Sequence, residues 1–147
     1  MSALRIRVIG QPAPQGSKRH VGGGRMVESS KAVKPWREAV KWAAGEAVAD
    51  SNGLRYPTGP VNVTVDFTFR RPRNHYRTGR FADLLRDDAP ELVDTKPDID
   101  KLLRSTFDAL TDAGVWRDDS QVAVVIATKS YGDAGALIHV TPIGDRT

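Results

Sequence analysis

The sequence predicts an α+β domain built on a mixed β-sheet with two helices, in the order β-α-β-α-β-β. Three observations predict it. Residues 4–9 and 61–69 alternate apolar with polar or basic side chains, the period of strands that bury one face. Residues 36–48 and 99–113 place apolar side chains at helical spacing. Two further apolar runs, 121–130 and 136–140, are joined by Tyr131-Gly132-Asp133-Ala134-Gly135, the composition of a hairpin loop. At 147 residues the chain reads as one domain, 1–147, able to bury a core without crosslinks.

The elements follow in order. In the first strand Leu4, Ile6 and Val8 take one face, and Arg5 and Arg7 share the other. Residues 10–16, rich in Gly, Gln and Pro, then open a long loop with basic tips, Ser17-Lys18-Arg19-His20 and Gly22-Gly23-Gly24-Arg25. Such a loop could be merely solvated. Alternatively, backbone N–H groups beside Lys18, Arg19 and Arg25 suit a phosphodiester. The spacing of a Walker phosphate loop is missing. Ser29 or Ser30 is placed to cap the first helix, with Pro35 in its first turn. Trp36 and Val40 are expected in the core, and Arg37 and Lys41 on a solvated ridge. Turn residues at 50–53 and 56–60 lead into the cleanest strand, where Val61, Val63, Val65, Phe67 and Phe69 face one way.

From Arg70 to Arg80 there are five arginines and no acid, interrupted by Pro72 and Gly79 and interleaved with Tyr76. Arg70, Arg71, Arg73 and Arg77 are candidates for gripping a nucleic-acid backbone, the aromatics for stacking. Residues 83–90 are expected to form a short helical turn. The run 121–130 reads as a buried strand.

Charge is unevenly spread. The formal net charge is +4; residues 1–40 hold eight Lys/Arg against two acids, and residues 83–119 hold eleven acids against five basic residues. This polarity suits a basic surface on phosphates and an acidic pocket around a cation. No cysteine is present, which removes disulfide and thiolate-metal chemistry and is compatible with a reducing cytoplasm. Three scattered histidines leave oxygen ligands for any metal, hence magnesium or manganese. No apolar run is long enough to cross a membrane.

The acids concentrate at the two ends of the second helix, in Thr95-Lys96-Pro97-Asp98-Ile99-Asp100 and Trp116-Arg117-Asp118-Asp119. Within a helix Asp98 and Asp100 would diverge, but Pro97 imposes an extended lead-in where alternate residues share a side. Both carboxylates could then converge on one ligand. A purely structural explanation stays open: Asp98 as an N-cap, Asp100 on the helix dipole, and Asp100–Arg104 and Arg104–Asp108 as ion pairs one turn apart. A strand starting near Gln121 would have to lie along the helix to bring Asp118 and Asp119 close.

The residues Pro97-Asp98-Ile99-Asp100-Lys101-Leu102, Phe107-Asp108-Ala109-Leu110 and Gly114-Val115-Trp116-Arg117-Asp118-Asp119-Ser120-Gln121-Val122 resemble the RusA family of Holliday junction resolvases, in its phage or prophage form. The resemblance implies a RusA-like fold and a cytoplasmic homodimeric endodeoxyribonuclease. It implies cutting of four-way DNA junctions with Mg2+ or Mn2+, in recombination and repair. It implies that Asp98, Asp100 and Asp119 hold the metal, with Asp118, the neighbouring acid, as a further candidate ligand. The family commonly has Asn after Asp-x-Asp and a catalytic lysine one turn on; here Lys101 and Arg104 stand there, so either is the candidate cation. The alternatives are a non-cleaving DNA-binding module and a nuclease for flaps or forks.

Overall fold

The computed structural model describes residues 2–16, 18–21, 25–28 and 31–144, with 18–21 and 25–28 described by backbone alone. The expected Ser29 or Ser30 cap therefore lies outside the described residues. Along the chain come β1 (Leu4–Ile9), β2 (Lys18–Val21), β3 (Arg25–Glu28), α1 (Val33–Asp50), β4 (Val61–Phe69), α2 (Ile99–Asp112), β5 (Val122–Tyr131) and β6 (Gly135–Pro142). Four strands make one mixed sheet in the order β1-β6-β4-β5. β6 runs antiparallel to both β1 and β4, and β4 runs parallel to β5. Parallel neighbours need a crossover, and α2 supplies it. The expected α+β class and the β-α-β-α-β-β order of the main sheet hold.

The alternation seen in the sequence becomes burial. Along β4, Val61, Val63, Val65, Phe67 and Phe69 are all buried while the intervening residues are half-exposed. They meet Leu4, Ile6 and Val8 of β1, Ile138 and Val140 of β6, and the apolar faces of both helices in one core. The helices are also joined by polar bonds. Trp36 donates from Nε1 to Thr106 Oγ1 at 3.1 Å with both side chains buried, and Arg37 pairs with Asp112 at 3.2 Å. Buried Ser105 donates to the Ala13 carbonyl at 2.6 Å, tying the segment after β1 to α2. α2 stops at Gly114, whose φ of 78° no β-carbon would tolerate easily, and Trp116 folds back to donate to Thr111 Oγ1 at 2.7 Å.

Three expectations are corrected. The stretch read as one basic loop contains the β2–β3 hairpin; a triple glycine between two short runs is a hairpin signal that the basic side chains obscured. Residues 83–90 form no helix. They turn back on the arginine segment: Arg77 N–H donates to the Leu84 carbonyl at 2.8 Å, Arg86 N–H to the His75 carbonyl at 2.9 Å, and Arg77 pairs with Asp87 at 2.9 Å. Within the stretch a single local backbone bond, Ala89 N–H to the Arg86 carbonyl at 3.1 Å, closes a turn without starting a helix. Finally β5 is an edge strand, not a buried one: Val124, Val125 and Ile126 are 44%, 43% and 57% exposed. An apolar run records affinity for a partner, and within this chain β4 covers only one side of it. No described helix is long and apolar enough to cross a membrane.

Candidate active site at the mouth of the second helix

The Lys96–Pro97 bond is cis, and Asp98 then sits at the N-cap of α2 in extended conformation, φ −68° and ψ 139°. Its side chain makes no capping bond, and neither Asp98 nor Asp100 makes an ion pair or side-chain hydrogen bond among the described residues. Two of the structural explanations therefore lose their contacts: Asp98 holds the cap position with its side chain unbonded to the helix, and the Asp100–Arg104 and Arg104–Asp108 pairs do not form. Both carboxylates are exposed. They line a groove of about 940 Å³ whose other walls are residues 92–96 and the β5 residues Ala127, Thr128 and Lys129.

Lys129 joins this groove from the sheet. It is the one charged residue of β5, and its ammonium donates at 2.7 Å to the carbonyls of both Thr95 and Pro97. The segment that delivers Asp98 is thereby pinned to the sheet, with further support from Val93 N–H to the Lys129 carbonyl at 2.9 Å. Asp94, also unremarked in the sequence, lines the same groove. A lone lysine in an apolar run was the signal available for Lys129; Asp94 carried none beyond its place among the acids.

The other pair of acids sits elsewhere. β5 runs back along α2, so its far end meets the helix mouth while its beginning stays by the helix C-terminus. Asp118 accepts from Ser120 N–H at 2.9 Å in a capping box with Gln121, whose Oε1 takes the N–H groups of Arg117 and Asp118 at 2.8 and 3.1 Å. Gln121 Nε2 in turn donates to the Tyr56 and Gly59 carbonyls at 2.9 and 3.0 Å. The hydrogen bonds from Ser120 hold the Asp118 carboxyl below its usual pKa. Asp118 thus shapes the turn that presents Asp119. The Asp119 carboxyl is pushed up, first by partial desolvation, then by the charges of Asp118 and Asp108. Asp98 and Asp100 are brought to one groove; Asp119 faces Asp108. Among the described residues, no three His, Asp or Glu side chains are close enough to share a metal ion.

Of the candidate cations, Arg104 is exposed on the turn of α2 after Asp100 and Lys101 is half-buried, its own carbonyl accepting from Gln15 N–H at 3.0 Å. Neither lines the groove, whose basic residues are Lys96 and Lys129. The arginine segment divides in two. Arg71 lies over the Tyr131 ring, 4.9 Å from its centroid, and bonds the Pro90 carbonyl at 2.7 Å and His75 Nδ1 at 3.2 Å. Arg77 is held by Asp87 and by the Leu85 carbonyl at 3.2 Å. Arg70 and Arg73 are exposed without a side-chain partner among the described residues, and Arg70 and Arg71 border a second hollow of about 790 Å³ with Tyr76. The side chains of Lys18, Arg19 and Arg25 lie outside the described residues.

The donor chemistry at the helix mouth fits a hard divalent cation. Two free carboxylates suffice for an ion that keeps several waters. A search of curated proteins finds no match. The family model described as endodeoxyribonuclease RusA matches residues 9–141, from the end of β1 to β6. That span includes both helices, the whole groove and the Asp118-Asp119 turn, and the chain belongs to the RusA endodeoxyribonuclease family.

Proposed function

We propose that the protein is a divalent-metal-dependent endonuclease that resolves four-way DNA junctions in recombination and repair, acting as a homodimer in the cytoplasm. The observation that carries the reading is the pair Asp98 and Asp100, unengaged by caps or ion pairs at the mouth of α2 and aimed at an open groove. Stability alone gives no reason to leave two carboxylates unpaired beside each other.

Asp98 and Asp100 would hold magnesium or manganese, with Asp119 as the third carboxylate the family pattern assigns. When bound, such an ion supplies a water of lowered pKa and positive charge for a phosphate oxygen. The chain's own groups do the rest. Lys129 pins the bent 95–97 segment that delivers Asp98 to the groove it lines with Asp100. Arg104 or Lys101 contributes positive charge near the phosphoryl oxygens, an electrostatic role in which arginine serves without giving up a proton. Arg70 and Arg73 contact flanking backbone, joined by Lys18, Arg19 and Arg25.

The test is a labelled four-way junction incubated with and without Mg2+, beside duplex, flap and fork controls. Metal-dependent, symmetrically placed nicks are expected on the junction. Asp100→Asn is expected to abolish cutting while junction affinity stays within about threefold, because the lost group acts on the reacting phosphate and not on the flanking backbone. Absence of metal-dependent nicking on any branched DNA would refute the enzyme reading. Stronger cutting of flaps or forks would move the substrate assignment.

A further inference from the structure

The groove at the helix mouth has a neighbour at the same end of the sheet. The hollow of about 790 Å³ lies where β1, β4 and the β5–β6 turn come together, lined by Ile9, Gln11, Arg70, Arg71, Tyr76 and Asp133. Gly10 N–H donates to the Ala134 carbonyl at 3.2 Å and Gly132 N–H to the Phe69 carbonyl at 2.9 Å, so the segments that frame it are fixed to one another. Arg71 is occupied by Tyr131, Pro90 and His75. The side chains of Gln11, Arg70, Tyr76 and Asp133 have no hydrogen-bond or ion-pair partner among the described residues. Arg70 and Asp133 thus bring opposite charges to one hollow and do not pair. Ile9 stands 82% exposed beside them.

A free cation, a free carboxylate, an aromatic ring and a bare apolar side chain match the parts of a nucleotide: its phosphate, its polar base edge and the faces of its base. The place fits as well. Residues 90–93 separate the hollow from the groove, with Pro90 accepting from Arg71 on one side and Leu92 and Val93 walling the groove on the other. Along β5, Lys129 of the groove and Gly132 of the hollow are three residues apart, about 10 Å. A stacked DNA strand advances about 3.4 Å per nucleotide, so the hollow lies about three nucleotides from a phosphate in the groove.

We propose that this hollow takes one unstacked nucleotide of the strand being cut, about three positions from the cut, with its base against Tyr76 and Ile9, its phosphate on Arg70 and its base edge on Asp133. The proposal rests on the nuclease reading for the position of the cut and not for the binding of the base. Unstacking costs least where pairing is already interrupted, as at a branch point. A carboxylate only accepts, so it selects a base edge that donates. Cytosine, adenine and guanine offer an exocyclic amino group, whereas thymine offers one N–H between two carbonyl oxygens that repel the carboxylate. Beyond Asp133 a hollow of about 450 Å³ continues across the sheet to Thr68 and Arg7, sharing Ile9, Asp133 and Ala134 with the first. The Arg7 guanidinium is also without a partner among the described residues and is placed for the next phosphate.

Two experiments test this. In EDTA, four-way junctions carrying iodinated deoxycytidine at successive positions of one strand are irradiated in complex with the protein, and the crosslinked peptides are mapped by mass spectrometry. Crosslinking to Tyr76 should peak at one position, and Tyr76→Ala should weaken junction binding about tenfold while Tyr76→Phe holds it. With Mg2+, junctions that differ only in the base at that position should be cut about tenfold faster with dC, dA or dG than with dT. Asp133→Asn, whose amide both donates and accepts, should bring dT to within about threefold of the others. Crosslinks that never reach Tyr76 would overturn the base pocket. Equal cutting with all four bases, or a dT penalty that survives Asp133→Asn, would overturn the reading of the base edge. A protein that crosslinks through Tyr76 but cuts nothing would refute the proposed function and leave the nucleotide site standing.

Discussion

Replacing Lys129 by methionine keeps the length and apolar stem of the side chain and removes the two bonds at 2.7 Å to Thr95 and Pro97. Hydrogen bonds to a charged group contribute about 1.5–3 kcal/mol each. Lys129 is only half-buried and water can reach both carbonyls once the ammonium is gone, so the low end applies. The segment should lose about 3 kcal/mol of local stabilisation, close to a hundredfold rise in its opening. The core around β4 and α2 is untouched, so global stability should fall by no more than about 3 kcal/mol, the cost of the two bonds together. The assay is amide hydrogen exchange at the two N–H groups that bound the segment: Val93, bonded to the Lys129 carbonyl, and Leu102, bonded to the Asp98 carbonyl at 3.1 Å. Both should exchange at least about tenfold faster, with β4 amides unchanged. Cleavage should slow by about a hundredfold as Asp98 loses its fixed position. Arginine, which keeps the charge, should restore part of both. Native exchange at Val93 and Leu102 in the methionine variant would refute the claim that Lys129 holds the site.

Three further outcomes follow from the contacts. The Asp119 carboxyl is raised above its ordinary value of 3.8, so its ionisation opposes folding as pH rises through that range and costs nothing well below it. Asp119→Asn should therefore raise Tm by about 1–2 °C at neutral pH, a small figure because the group is exposed, and should not change it near about pH 3. Arg71→Ala should lower unfolding free energy by about 1–2 kcal/mol in urea titrations, through its lost contacts with Tyr131 and Pro90, whereas Arg73→Ala should leave stability alone and reduce the salt slope of DNA binding by about one. Gly135→Ala should cost about 3 kcal/mol or more, because a β-carbon there meets the Val8 carbonyl of the paired strand; a native melting curve would contradict the close β1–β6 approach.

Much of the fold was legible because the signals are local. The alternation in 4–9 and 61–69, the helical stripe from Ile99 to Ala113 and the glycine at 114 depend on neighbours a few residues apart. So does the extended backbone at Asp98, just ahead of the helix. The arginine segment was legible only as composition. That Arg71 and Arg77 are bound to Tyr131, Pro90 and Asp87 depends on residues up to sixty positions away. The capping box ties Asp118 to Gln121, and Gln121's bonds to Tyr56 and Gly59 likewise join residues far apart in the chain.

By itself, then, the sequence determined the elements, their order, the core-facing residues and the carboxylate pair at the helix mouth, since each follows from periodicity, capping or backbone restriction within one segment. The tertiary structure decided the rest. It put β5 at the edge of the sheet and ran it back along α2, which joins Lys129 to the Asp98 lead-in and sends Asp119 to the opposite end. Strand order and direction are set by which surfaces bury the most apolar area together, a property of the whole chain that no single stretch encodes.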